Sequence, residues 1–345
     1  MVTFTKGRSG RPILGSGSRG TVAAIIVNFN SGDYLRACLR GLSEQSYPLT
    51  KIIVIDNCST DNSLEKLEDG FDGEIIKLGQ NVGFAKANNL AAEQALGCEW
   101  LAFVNPDAVL EPQWLEKLLE ATAARPDCVF VGGSLLQAGD TKRLDGAGDV
   151  YHVSGAHWRR GWGQLSAGRY AVVEEVFSPC AAAAICRRDV FLKVGGFDES
   201  FFCYAEDIDL GFRMRLRGFN CFYVPDAIAY HVGSATTGRR SDFTVYHGHR
   251  NLVWTYFKNM PWPLFWLYLP QHILLNLISL AWFSLRGKAR VIFKAKWDAL
   301  KGLPRILRER KKVQSKRRVS AWELRRVMAK RLLRPYFKHG MQGKS

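Results

Sequence analysis

TVAAIIVNFN (21–30) and KIIVIDNCSTDNS (51–63) decide how this chain folds. Each starts as a short apolar, β-branched run and ends in polar side chains. A strand covered by helices on both faces reads this way, because neither face meets water. Between the two runs, Tyr34, Leu35, Cys38, Leu39 and Leu42 recur at helical spacing. EIIKL (74–78) adds a third strand, NVGFAKANNLAAEQAL (81–96) a helix and EWLAFVNPDAVL (99–110) a fourth strand. Thr60 or Asp61 is placed to cap a helix over 62–69. This alternation predicts an α/β domain, a mostly parallel, doubly wound sheet flanked by helices. Ligands bind such sheets beyond the carboxyl ends of the strands, where Asp56 and Asp107 both fall.

Further along, 126–180 is glycine-rich and irregular, and reads as long loops over a site, although a structural hairpin would look similar. FDESFFCYAEDIDLGFRMRLRG (197–218) sets Glu206, Asp207 and Asp209 directly after Phe201, Phe202 and Tyr204. Carboxylates beside buried aromatics lose hydration, so they need compensation or a task. The bland account is that acids favour a helix N-terminus, and Gly218 suits that helix's C-terminal end. Asp209 stands four residues before Arg213, as an ion pair would. YVPDAIAYHVGSAT then puts His231 just after a short strand.

The net charge of +16 is concentrated in one place. From Arg286 onward there are 21 Lys/Arg against 3 Asp/Glu, whereas Met1–Leu285 carries 27 against 29. Just before this basic tail, 261–285 contains no Asp, Glu, Lys or Arg, with aromatic residues at both ends. Three prolines and Gln271, His272 and Asn276 interrupt it, which favours an interfacial segment over a clean span. The tail is partly amphipathic: Ser320 and Glu323 fit a capping box, and Leu324, Val327, Met328 and Leu332 share a face. A basic amphipathic helix after a hydrophobic stretch suits an anionic membrane surface. Nucleic acid is the rival partner, ranked lower because it does not cover apolar surface. The organisation expected is a disordered leader at 1–20, a catalytic domain at 21–258, a membrane-associating segment at 259–285 and a basic helical tail at 286–345. The eight cysteines form no CxxC pair and read as buried small hydrophobes in a reducing compartment.

Taken in order, VNFNSGDYLRACLRGLSEQSYP, IIVIDNCSTDNS, NVGFAKANN, FVNPDAVL and GGFDESFFCYAEDIDLGFRMRLRGF resemble the inverting family 2 glycosyltransferases of GT-A fold. The rhamnosyltransferase-like branch of bacterial polysaccharide biosynthesis is the nearest pattern, over roughly Thr21–Met260. The resemblance implies transfer of a sugar from a nucleotide-diphosphate donor to a glycan hydroxyl, on an acceptor such as a polyprenyl-diphosphate-linked glycan. It places the enzyme at the cytoplasmic side of the inner membrane. It gives the nucleotide sugar to Val27, Asn28, Asn30, Asp56, Asn57, Asn81, Gly83, Phe84, Asn88, Asn105 and Asp107. Asn105 stands where the family's first metal-site acid usually does. Mg²⁺ or Mn²⁺ would be held by Asp107 and His231, with Asp207 as base. Glu206 would contact the acceptor or raise the pKa of Asp207. A non-catalytic Rossmann-like protein binding nucleic acid or membrane is the alternative.

Overall fold

The structure is a computed structural model, and it describes residues 20–65, 67, 71–233 and 241–331. Its first half is built as the periodicities predict: β1 (Val22–Asn28), α1 (Tyr34–Ser43), β2 (Lys51–Asp56), β3 (Glu74–Lys77), α2 (Phe84–Gln94) and β4 (Trp100–Val104). Strands β3, β2, β1 and β4 are neighbours in that order and all parallel. Along β1, Ala23, Ile25 and Val27 enter one hydrophobic cluster, while Val22, Ala24 and Ile26 enter the other. The two-residue period of a strand thus feeds a core on each face of the sheet.

Pro106 lacks the N–H that would continue the ladder, so β4 stops there and the chain turns into β5 (Ala108–Leu110) and α3 (Trp114–Ala123). Much of the region read as loops is strand, with turns between: β6 (Cys128–Gln137), β7 (Asp140–Gly146), β8 (Asp149–Tyr151), β9 (His157–Arg159) and β10 (Glu174–Glu175). Its glycines serve close contact between elements. A Cβ on Gly133 would lie 1.8 Å from the Ala227 carbonyl oxygen, and one on Gly146 would strike the Arg159 side chain. Then follow β11 (Ala183–Arg187), α4 (Arg188–Val194), α5 (Glu206–Leu216) and β12 (Asn220–His231). Strand β11 runs antiparallel between β4 and β6, and β12 pairs in parallel with β6. The sheet is therefore mixed, with its parallel half first. The helix expected over 62–69 lies partly outside the described residues; 61–65 and 67 form bends and turns, with Asp61 accepting from the Ser63 N–H.

The C-terminal helices are α6 (Asp242–Asn259), α7 (Trp262–Phe283), α8 (Ala289–Ser315) and α9 (Ala321–Arg326), with a kink at Arg286–Gly287 between α7 and α8. They pack on the domain through a third cluster that includes Tyr151, Phe212, Trp254, Tyr256, Leu264, Phe265, Leu324 and Met328. On α7, buried Leu264, Phe265, Tyr268, His272, Leu275 and Ser279 form one stripe. Trp262, Trp266, Ile273, Leu277 and Trp282 lie exposed on the other side. The Ser320–Glu323 capping box forms as expected. Leu332 and residues 1–19 lie outside the described residues. All eight cysteines are free, six buried and Cys58 and Cys203 partly so.

Candidate active site

Register places the first two polar residues side by side, because Asn28 is the strand partner of Asp56 where β1 and β2 end. Both are buried, and the Asn28 amide donates to Asp56 Oδ1 at 3.0 Å and to the Ser63 and Ser59 hydroxyls. Val27 is a core residue behind them. Asn30, in left-handed backbone, uses its side-chain oxygen to accept the Thr60 N–H at 2.7 Å, and so ties down the loop after β2. Asn57 donates to Asn81 Oδ1 at 2.9 Å and accepts the Val82 N–H, which links the strand end to the turn before α2. Gly83 sits at φ 85°, and a Cβ there would lie 2.6 Å from the Phe202 ring, so glycine is required for this close approach. Phe84 stacks obliquely on Phe197. The Asn88 amide donates to the Phe84 carbonyl within α2, so it braces the helix.

A second group forms where β4 gives way to β5. Strand β5 pairs antiparallel with the end of β12, aligning Ala108 with His231. The backbone of Asn105 donates to the Ala182 carbonyl, which fixes the turn. Asp107 Oδ1 then lies 3.3 Å from His231 Nε2, and Asp145 Oδ2 lies 2.8 Å from His231 Nδ1. Burial alone would push the His231 imidazole down, but Asp107 and Asp145 outweigh it and raise its pKa to about 9.

At the third group, α5 begins after a strained stretch. Phe202, Tyr204 and Ala205 all have left-handed backbone, at an energetic cost of roughly 1–3 kcal/mol each. Asn251 on α6 offsets this by donating to the carbonyls of Phe201, Cys203 and Tyr204, and Arg250 donates to those of Ser200 and Phe201. The aromatic residues before α5 divide between core and surface. Phe201 turns into the core, whereas Phe202 and Tyr204 stay partly exposed against Phe243 and His247 of α6. Asp207 is half-buried, with Oδ1 accepting the Ile208 N–H at 2.8 Å and Oδ2 3.4 Å from the Ala181 nitrogen. Glu206 is buried, and burial, then the Asp207 charge, holds its pKa well above the usual carboxylate range. Asp209 is structural as expected, since it is fully buried and bound to Arg213, Lys258 and Asn259.

The β7–β9 segment joins the last two groups. Asp149 and Arg159 are strand partners; Arg159 Nη1 lies 3.1 Å from Asp145 Oδ2, and Nε lies 3.3 Å from Asp149 Oδ1. Carboxylate oxygens of Asp149 and Asp207 and the Cys180 sulfur lie within 4.8 Å of one another. A continuous chain therefore runs Asp107–His231–Asp145–Arg159–Asp149–Asp207. One guanidinium cannot neutralise every carboxylate around it. Burial, which outweighs Arg159 and is reinforced by Asp207 and Asp145, pushes Asp149 up to about 8. Asp145, Asp149, Arg159 and Asn251 escaped the sequence reading. The available signal was LDGAGD, two acids four residues apart among glycines.

Residues 23–195, about half of the chain, match the sequence profile of Glycosyl transferase family 2. The O-antigen biosynthesis protein RfbC of Myxococcus xanthus is 34% identical over 237 residues, covering 65% of this chain. This chain spans only 18% of that protein's length. An N-acetylglucosaminyl-diphospho-decaprenol L-rhamnosyltransferase of Mycobacterium tuberculosis is 28% identical over 239 residues, 62% of this chain and 77% of that one. The mannosyltransferase PcManGT from Pyrobaculum calidifontis, solved with GDP-Man and Mn²⁺, superposes with a TM-score of 0.51 at 18% identity, covering 87% of this chain and 85% of its own. GalNAc-T7, solved with UDP, GalNAc and Mn²⁺, gives 0.55 at 15% identity, over 68% of this chain and 47% of that one. These two likenesses establish the GT-A arrangement of sheet and helices. With the ordered motifs at its strand ends and the profile match over them, the chain belongs to glycosyl transferase family 2.

Proposed function

We propose that the protein transfers a sugar, rhamnose by its likeness to the mycobacterial relative, from a nucleotide-diphosphate donor to a hydroxyl of a lipid-diphosphate-linked glycan, with inversion. The observation that carries this reading is the run of charged side chains that links Asp107 through His231, Asp145 and Arg159 to Asp149, with an Asp207 oxygen within 4.8 Å of Asp149. Asp56, with Asn28 behind it, accepts from the nucleobase, and Asn57, Asn81 and the Gly83 backbone line the path toward the diphosphate. Asn30, Val27, Phe84 and Asn88 support this wall.

Asp107 and His231 fit a divalent cation. His231 Nε2 is buried and faces Asp107 Oδ1 at 3.3 Å, and a cation would replace the proton that these two groups otherwise share. One carboxylate oxygen and one imidazole nitrogen, both of types that Mg²⁺ or Mn²⁺ accepts, would hold the ion there. When bound with the donor, Mg²⁺ or Mn²⁺ would offset the charge growing on the departing diphosphate. Asp145 orients the imidazole from its other nitrogen, and Asn105 shapes the turn. Asp207 takes the proton of the attacking hydroxyl, Glu206 lines the acceptor side, and Phe202 and Tyr204 help exclude water.

A panel of uridine and thymidine diphosphate sugars tests the reading. Release of nucleoside diphosphate is expected with Mn²⁺ or Mg²⁺, and His231→Ala is expected to weaken metal activation about 10–100-fold. Release at an undiminished rate in chelator would remove the metal site.

The exposed apolar faces of α7 and α8, the latter bearing Phe293, Trp297 and Leu300, support docking at an anionic membrane surface on the cytoplasmic side. Helix α7 is long and apolar enough to cross a bilayer, yet one stripe of it is buried against the protein, which favours an in-plane position. The catalytic domain, the apolar segment and the basic helices would act as one membrane-bound unit. Truncation after Lys258 would strip cover from Trp254 and Tyr256, so paired substitution is the cleaner test. Trp266→Ser with Trp297→Ser is expected to cut co-flotation with anionic vesicles about tenfold; unchanged flotation would refute the docking face.

A further inference from the structure

Where α8 packs on α6 lies a group of nitrogen side chains that the transfer chemistry leaves unused. Lys296, on the half-buried side of α8, directs its ammonium at α6, 3.1 Å from the His249 carbonyl oxygen and 3.4 Å from His249 Nδ1. With Nδ1 turned toward an ammonium, the proton of His249 resides on Nε2, which makes that atom a donor. Phe283, at the end of α7, packs edge-on against the His249 ring at 4.8 Å. His272 of α7 is 2% exposed; its Nδ1 is satisfied by the Ser154 carbonyl at 2.8 Å, and its Nε2 is buried with no hydrogen-bond partner. His249 stands on α6 between His247, which stacks on Phe202 at 5.3 Å, and Asn251, whose amide donates to the Tyr204 carbonyl three residues before Asp207.

Among the described residues, no carboxylate forms a salt bridge with Lys296. Asp298, two residues on, is engaged by the Tyr246 hydroxyl, and Asp242 pairs with Lys288. A half-buried ammonium facing imidazoles and lacking a counter-ion is costly to keep charged. Burial alone pulls Lys296 down to about 7, and burial with the Lys296 charge holds His249 down to about 3. An anion seated among these groups would offset that penalty through charge-assisted hydrogen bonds. The neighbours on the outer side are apolar and exposed: Phe293 and Trp297 flank Lys296 on α8.

We propose that Lys296 and His249 form the subsite for the diphosphate of the lipid-linked acceptor, beside the exposed apolar face and on the helix that holds the loop leading to Asp207. The inference rests on the lipid-diphosphate reading above and names the residues that would recognise its charged link. The acceptor would then place its sugar hydroxyl at Asp207, its diphosphate at Lys296 and His249, and its hydrocarbon along the exposed faces of α7 and α8.

The test compares two acceptors carrying the same N-acetylglucosamine, one farnesyl-diphosphate-linked and one an octyl glycoside, with full-length protein in neutral-lipid vesicles. Wild type is expected to prefer the diphosphate-linked acceptor. Lys296→Gln is expected to lose about tenfold more kcat/KM with that acceptor than with the octyl glycoside, mainly through KM, and Lys296→Arg to recover most of it. His249→Gln, a second substitution read the same way, guards against misfolding of the first. Equal losses with both acceptors would overturn the subsite while leaving the lipid-diphosphate reading intact. A wild type without preference would overturn that reading and the subsite with it. Losses with the octyl glycoside that appear only in anionic vesicles would assign the group to a lipid headgroup and refute the proposal.

Discussion

Asp207→Asn should lower sugar transfer by about a thousandfold, within the range that a positioned general base contributes, while donor binding is retained. Asparagine keeps a side-chain oxygen to accept from the Ile208 N–H, and its amide fits the same volume, so the start of α5 should hold. The donor's nucleotide end is assigned to Asn28, Asp56 and Asn57, on strand ends that this substitution does not touch. Glu206 is poorly placed to take over, because its side chain is buried and burial, the larger cause of its raised pKa, disfavours its charged form even without the Asp207 charge. The check is a pair of measurements on the same preparation: nucleotide-sugar affinity by calorimetry and transfer rate by nucleoside diphosphate release. Transfer above a tenth of the wild-type rate would remove Asp207 from the role.

Arg159→Met should cost about 3 kcal/mol, in the range for breaking a buried ion pair. The substitution leaves Asp145 and Asp149 without the guanidinium that bridges them at 3.1 and 3.3 Å, and both carboxylates are more than nine-tenths buried. Thermal unfolding should shift down by about 6 °C for a chain of this size. Activity should fall as well, because Asp145 orients His231 and Asp149 abuts Asp207. Arg159→Lys should rescue little, since one ammonium cannot serve two carboxylates in the forked geometry of arginine. Full activity with an unshifted melting curve would show the chain of contacts to be incidental.

The parts that could be read from the sequence share a physical character. Period-two apolar runs and turn residues are local signals, so β1 to β4, α1 and α2 fell close to where the pattern put them. Asp56 at the end of β2 and Asp207 at the start of α5 were visible for the same reason, as polar residues where an apolar run stops. Asp145, Asp149 and Arg159 were not. Their strands are short and lie among glycines, and glycine there serves contacts with residues far along the chain, such as Ala227 against Gly133. Asn251 was hidden too, because its amide matters only to carbonyls about 50 residues earlier.

Backbone propensity and hydrophobic periodicity act over a few residues, and those forces alone specified the parallel half-sheet, the acids at its edge and the apolar stretch before a basic tail. Which carboxylate holds a proton, which arginine bridges two acids, and which face of α7 is left bare are matters of distance and dielectric. Such quantities exist only once β12 has returned to β5 and α6 to α8 have packed over the strained loop, because charges interact through space and not along the chain.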